Sequence, residues 1–178
     1  MKFSRNILFQ AVTLFTALSP LTGSAADLTM GDIRFDVMST RMAYDNTIRI
    51  VPHGLERDDQ SVSFKADGEV VGEYVTDLDN NGWPEIYMIT RSVGSGSYGT
   101  VVGYAVNNGK SMSPVYMPEL SQQGYMGHDR FEVQKDHISR TFPLYKEDDP
   151  NARPSGGEMT IRYQLTAGEA GWILKPQF

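Results

Sequence analysis

The stretch that most constrains the fold is EIYMITRSVGSGSYGTVVGYAVN, residues 85–107. β-Branched and aromatic residues dominate 86–89 and 101–106, with the period-two pattern of strands that keep one face in a core. Between them lies a run of Gly and Ser with one aromatic residue, Tyr98. The stretch therefore predicts two strands joined by a loop, and it raises the question of why that loop carries a tyrosine.

The period-two pattern recurs along the rest of the chain. It runs through 33–37, 48–50, 62–64, 131–133, 159–165 and 172–174. Hairpin turns are predicted at Asp67-Gly68 and Asn107-Asn108-Gly109, because Asn and Gly tolerate positive φ. We see no long helical pattern, fixed-period repeat or domain linker. The sequence therefore predicts an all-β fold, a single antiparallel β-sandwich or barrel-like domain of about eight to ten strands.

The first 26 residues have the pattern of a secretory signal peptide. Two positive residues precede a mostly apolar run, and small residues at 24–26 stand before Asp27. The run is shorter than the roughly 20 residues of a membrane span, and a buried N-terminal helix would not explain the small residues. We predict cleavage after Ala25 or Ala26, so that 27–178 is the mature β domain. No cysteine follows the apolar run, so a lipoprotein anchor is not expected.

Composition limits the choice of partner. The chain has 178 residues, a net charge of −6 and no cysteine. Removal of the signal peptide takes away two positive charges and leaves a net charge of about −8. A surface this acidic argues against nucleic acid and against anionic lipid, so no membrane binding is expected after cleavage. Without disulfides, the domain depends on packing and backbone pairing.

The segment DLDNNGWPE at 77–85 is the motif most like a metal site. Calcium prefers several hard oxygen ligands, and the EF-hand loop begins with the same alternation of oxygen-bearing side chains. The segment departs from an EF-hand because the last acidic ligand is missing. The candidate ligands are Asp77, Asp79, Asn81 and Glu85. An Asx-rich turn that needs no metal explains the same residues, so calcium is expected as an optional ligand and no cofactor is required.

Signals for catalysis are weak. The three histidines are scattered along the chain, at no spacing that suits a metal. No serine lies in a Gly-x-Ser-x-Gly elbow, and no two carboxylates are placed across a cleft as a glycosidase needs. We therefore predict that the protein is not an enzyme.

The loop between the strands predicted at 86–89 and 101–106 admits two interpretations. Gly94, Gly96 and Gly99 allow backbone conformations that are closed to other residues. Tyr98 combines a ring with a hydroxyl at low entropic cost, as interface residues do. The loop is either a protruding recognition loop or an ordinary hairpin with Tyr98 folded onto the sheet. Composition alone does not decide between these interpretations.

The motif Ser95-Gly96-Ser97-Tyr98 lies in the block DLDNNGWPEIYMITRSVGSGSYGTVVGYAVN. In this setting it is similar to the Ser-Gly-x-Tyr loop of a known family, the periplasmic inhibitors of invertebrate-type (i-type) lysozyme made by Gram-negative bacteria. The later pieces GYMGHDRF, RPSGGEMTIRYQL and AGEAGWILK are similar to that family too. The resemblance covers most of the mature chain.

The resemblance implies a β-sandwich-like fold that blocks lysozyme by inserting this loop into the substrate cleft. In that role Ser95 and Tyr98 would hydrogen-bond near the catalytic carboxylates, and Gly96 would let the backbone into the narrow cleft. Ser97 falls on the variable position, and Arg91 would add a charge at the rim. The expected partner is an i-type lysozyme, and the expected location is the periplasm of a Gram-negative bacterium.

Two other functions stay open at this point. One is a calcium-dependent secreted β-domain that binds carbohydrate or another surface ligand. The other is a secreted hydrolase whose catalytic site the motifs do not reveal. Inhibition of a purified i-type lysozyme by this protein separates the lysozyme-inhibitor hypothesis from these two alternatives.

Overall fold

The computed structural model describes residues 28–40, 45–169 and 171–178, so the predicted signal peptide lies outside the described residues. These residues form twelve β-strands and no helix, and thus contain no helix long and apolar enough to cross a membrane. The strands are β1 (Thr29–Met30), β2 (Ile33–Ser39), β3 (Asn46–His53), β4 (Val62–Ala66), β5 (Glu69–Thr76), β6 (Glu85–Arg91), β7 (Gly99–Asn107), β8 (Ser111–Tyr116), β9 (Arg130–Val133), β10 (Ile138–Pro143), β11 (Glu158–Gly168) and β12 (Gly171–Gln177).

The all-β prediction is confirmed, with two differences in detail. Twelve strands are present, against about eight to ten expected, because the period-two runs do not cover β1, β5, β8 and β10. In addition, not every pair is antiparallel, since β8 and β12 pair in parallel at Val115–Trp172 and Tyr116–Ile173. A parallel pair needs a long connection that brings the chain back in the same direction, and β9, β10 and β11 supply it.

The strands form two sheets. The small sheet has the order β1-β2-β3-β4, and the large sheet has the order β5-β6-β7-β8-β12-β11-β10-β9. The turn at Asp67-Gly68 is therefore not the predicted hairpin but a corner where the chain leaves the small sheet for the large one. Asn46, which is fully buried, ties this corner by donating a hydrogen bond to the Gly68 carbonyl at 3.2 Å.

The two faces of the large sheet cover separate cores. The first core takes its side chains from β6, β7, β8, β10, β11 and β12, so the large sheet curls around its own apolar face. The second core lies between the small sheet and the opposite face of β6 and β7, and its members include Ile33, Phe35, Ile50, Ile86 and Met88. Each fully buried side chain of this kind contributes about 1.5–3 kcal/mol.

Strand β6 positions both candidate sites. Its residues from Glu85 to Thr90 are all buried, because the curled sheet covers one face and the small sheet covers the other. The turn at 77–84 leads into β6, and the loop at 92–98 leaves it. At the usual rise per residue the two ends of this strand are about 20 Å apart. Because both faces of β6 are buried, this strand holds the turn at 77–84 and the loop at 92–98 at fixed positions at its two ends.

Candidate functional site

The loop at 92–98 joins β6 to β7 and is closed by its own hydrogen bonds. The Ser92 amide donates to the Tyr98 carbonyl at 2.8 Å, and the Tyr98 amide donates to Ser92 Oγ at 3.0 Å. The Ser97 amide donates to the Gly94 carbonyl at 3.2 Å, with Ser97 itself at a φ of 43°. These bonds hold the loop in one defined shape.

Ser95 and Tyr98, the two residues with predicted hydroxyl roles, both face solvent. Tyr98 exposes 47% of its surface, whereas Gly96 and Ser97 between them are half-buried. One side of the Tyr98 ring packs edge-on against Tyr125, with ring centroids 5.7 Å apart. The geometry thus combines features of both interpretations, because Tyr98 rests on a neighbouring ring and still presents its other side to solvent.

Gly96 and Arg91 complete the set of predicted loop residues. A Cβ atom at Gly96 would collide with the Tyr98 ring, so a larger residue here would push that ring out of its present position. Arg91 is exposed at the end of β6, where it pairs with Gly99 at the base of the loop. The predicted loop residues therefore all lie where β6 ends and β7 begins, at one end of these two strands of the large sheet.

Residues 125–129 support this loop, a role that no local pattern in the sequence predicts. The His128 amide donates to the Gly96 carbonyl at 2.6 Å, and Asp129 accepts the Gly99 amide at 2.7 Å. Asp129 also pairs with the buried Arg140 at 2.7 Å. The available signal was Arg140 itself, because a cation in a buried strand needs an acidic partner. Nothing local in the sequence named Asp129 as that partner.

An open groove of about 440 Å³ lies beside Tyr98. Its lining includes Tyr98, Tyr116, Leu120 and Tyr125, with Arg140 also contributing. Tyr116 exposes 61% of its surface. Because exposed aromatic side chains are enriched in protein interfaces, the loop and the groove together form a surface suited to contact with another protein.

At the other end of β6, the 77–85 turn brings three of the four predicted metal ligands together. The carboxylate oxygens of Asp77, Asp79 and Glu85 lie within 4.8 Å of one another. The side-chain oxygen of Asn81 instead accepts the Trp83 amide at 2.7 Å. The predicted Asx turn and the predicted cluster of acidic oxygens are therefore features of the same segment.

Backbone amides already bind these carboxylates. Asp77 accepts the amides of Asn81 and Gly82, each at 2.9 Å, and Glu85 accepts the Leu78 amide at 2.7 Å. The oxygen donor set fits calcium, but one oxygen from each of three side chains is fewer than the about six to eight oxygens that calcium takes. If calcium binds here, Asp77, Asp79 and Glu85 would hold it and other oxygen atoms would complete its coordination.

Glu85 is the most perturbed acid of this cluster. It is only 1% exposed, and burial raises its pKa to about 8, with a further rise from the charges of Asp79 and Asp77 and an opposing effect of the Leu78 amide. Burial is also the main cause of the raised pKa of Asp79. In the metal-free protein Glu85 therefore carries a proton at neutral pH.

No family model, no curated protein and no solved structure matches this chain.

Proposed function

We propose that this protein is a periplasmic inhibitor of i-type lysozyme that acts by binding, inserting loop residues 95–98 into the active-site cleft of the enzyme. The observation that carries the proposal is that this loop has a fixed shape and still exposes its hydroxyl-bearing side chains. It is closed by its own hydrogen bonds, braced by residues 125–129, and still exposes Ser95 and Tyr98.

The chemistry of the loop suits a glycosidase cleft. Such a cleft presents two carboxyl groups on either side of the scissile bond, and these groups accept hydrogen bonds. Serine and tyrosine hydroxyls donate hydrogen bonds without bringing a new charge into the interface. The exposed Tyr98 ring adds apolar contact area, and Arg91 at the base of the loop supplies a positive charge for an acidic rim.

The decisive experiment compares inhibition with folding stability for matched variants. Ser95→Ala removes one hydroxyl, and Tyr98→Phe removes the other while keeping the ring against Tyr125. Controls with the same chemical change are Ser63→Ala and Tyr74→Phe, at exposed positions on β4 and β5. Inhibition constants against a purified i-type lysozyme and melting temperatures are measured for all four.

Hydrogen bonds to charged groups are worth about 1.5–3 kcal/mol. Each loop variant should therefore weaken inhibition by about ten- to a hundredfold, while stability moves by less than about 0.5 kcal/mol. The controls should inhibit like the parent. If both loop variants inhibit as well as the parent, the loop does not enter the cleft. If inhibition is lost only when the fold is lost, the role of these residues is structural.

A second candidate function, a calcium-dependent domain that binds a surface ligand, is favoured by one observation, the convergence of Asp77, Asp79 and Glu85. A cation that binds only the native state raises its melting temperature by mass action. Calorimetric titration of the chelator-treated protein with calcium tests this directly. An absence of both binding heat and thermal stabilisation would leave the metal-free Asx turn as the explanation of these residues.

A further inference from the structure

The centre of the support under the loop is a buried ion pair. Arg140 lies in the middle of β10 and is only 6% exposed. Its Nε donates to Asp129 Oδ1 at 2.7 Å, and its Nη2 donates to the Tyr125 hydroxyl at 2.6 Å. The guanidinium group also lies over the rings of Tyr125, Phe131 and Phe142, at 5.0, 5.4 and 5.8 Å from their centroids. A buried charge with this many partners has one fixed orientation.

The carboxylate of Asp129 transmits this fixed orientation to the loop. Its side chain is 0% exposed. Oδ2 accepts two further hydrogen bonds, from the Tyr125 hydroxyl and from the Gly99 amide, both at 2.7 Å. Gly99 is the first residue of β7 and directly follows Tyr98. The position of the Gly99 peptide, and with it the direction in which Tyr98 leaves the sheet, is therefore set by a side chain 30 residues away in sequence.

Two more contacts hold the loop from the same side. The Gly96 carbonyl accepts the His128 amide at 2.6 Å, and the Ser95 carbonyl accepts the Asn151 side-chain amide at 3.2 Å. Gly127, at a φ of +89°, lies so close to the Gly96 carbonyl that a Cβ would collide with it. Each of the residues Ser95, Gly96 and Gly99 is thus fixed by a partner outside the β6–β7 hairpin.

We propose that Asp129, held by Arg140 and Tyr125, is a positioning residue that keeps the 95–98 loop in its binding conformation before any partner arrives. The inference rests on the proposed inhibitory function and adds residues that do not themselves enter the cleft. A loop ordered in the free protein loses little further conformational freedom on binding. Loosening the support lowers the fraction of molecules that are ready to bind, and the apparent affinity falls by that fraction.

The test variants leave the two buried charges in place so that the protein stays folded. Removing Asp129 or Arg140 would leave an uncompensated buried charge and endanger the fold. Tyr125→Phe instead removes only the hydroxyl shared by the ion pair, and Tyr104→Phe on the opposite face of β7 is its matched control. Gly127→Ala presses on the Gly96 carbonyl. Gly157→Ala is the control for backbone strain, because Gly157 has the same φ of +89° and, in the part of the chain that the structure describes, no atom lies within 4 Å of an added Cβ.

Two readouts separate positioning from direct contact and from general destabilisation. Amide hydrogen exchange at Gly99 and across 92–98 reports local opening of the loop without any partner. Association and dissociation rate constants with i-type lysozyme report its effect on binding. Tyr125→Phe and Gly127→Ala should leave the Gly99 amide with little protection from exchange, because a fall of about fivefold to tenfold in the fraction ready to bind makes the open loop the major form. They should also slow association by about fivefold to tenfold, with dissociation changed by less than about twofold.

The outcomes are distinguishable. Unchanged exchange at Gly99 in both variants would overturn the proposal, and so would a rise in the dissociation rate with association unchanged, which indicates direct contact with the enzyme. Equal effects of Gly157→Ala and Gly127→Ala on exchange and association would also overturn it, because backbone strain alone would then explain both results. If the parent protein does not inhibit the lysozyme, the proposed function fails. Exchange at Gly99 in Tyr125→Phe then still decides whether the hydrogen bond from Tyr125 to Asp129 helps to hold the loop.

Discussion

Replacement of Glu85 by glutamine should remove a pH dependence of stability that the buried acid creates. Glu85 is the first residue of β6 and is 1% exposed. One backbone amide donates to it, and the carboxylates of Asp77 and Asp79 lie within 4.8 Å. Burial and these two charges raise its pKa from 4.5 to about 8. Glutamine keeps the size of the side chain and cannot ionise.

The sign and the magnitude of the change in unfolding free energy with pH follow from proton linkage. Between pH 4.5 and about 8 the native state keeps a proton that the unfolded state has released, so the free energy of unfolding falls as pH rises. Each pH unit inside this window is worth up to about 1.4 kcal/mol. From pH 5 to 8 the parent should therefore lose about 3–4 kcal/mol, a large part of the about 5–15 kcal/mol of a typical domain. The smaller contribution of Asp79, whose pKa is also raised, has the same sign.

The assay is urea unfolding at pH 5, 6, 7 and 8 in the presence of a chelator. Glu85→Gln should flatten the fall in stability. The matched control is Glu158→Gln, also at the first residue of a strand but with a side chain that is 59% exposed, and it should keep the slope of the parent. A parent whose stability does not change over this range, or a Glu85→Gln variant that keeps the full slope, would contradict a raised pKa of Glu85 in the folded protein.

Three further predictions concern stability and processing. Tyr87→Phe removes a buried hydroxyl that has no hydrogen-bond partner among the described residues, so stability should rise by about 1 kcal/mol and the melting temperature by about 2–4 °C; a lower melting temperature would show that the hydroxyl has a partner. Asn46→Ala leaves the Ser39 and Thr40 hydroxyls and the Gly68 carbonyl without this side chain. It should cost about 2–4 kcal/mol in urea unfolding, and a loss below about 0.5 kcal/mol would contradict the importance of the corner. Intact mass of periplasmic material should show a mature chain that begins at Ala26 or Asp27, whereas recovery of the full chain in the membrane fraction would refute cleavage.

The period-two pattern was sufficient to locate the strands that have one buried face and one exposed face. β3 and β7 follow this rule closely, with buried residues at every second position along most of their length, because the pleat sends successive side chains to opposite faces. The turn at Asn108 and Gly109 was also readable, and both residues have positive φ. The same is true of the Asx turn at 77–85. These features depend only on neighbours a few residues apart.

Which strands are covered on both faces, and which distant residues meet, depends on how the whole chain packs. β10 is buried almost throughout, so it shows no alternation, and β8 contains Pro114, which is uncommon inside a strand. The parallel contact of β8 with β12, the corner at Gly68 and the bond from Asp129 to Gly99 all join positions that no local pattern relates. Tyr98 itself could be read as a candidate contact residue from the sequence. Its exposure and its fixed direction arise because the curled sheet brings residues 125–129 and β10 against the base of its loop, and contacts of that kind form only when the whole chain has packed.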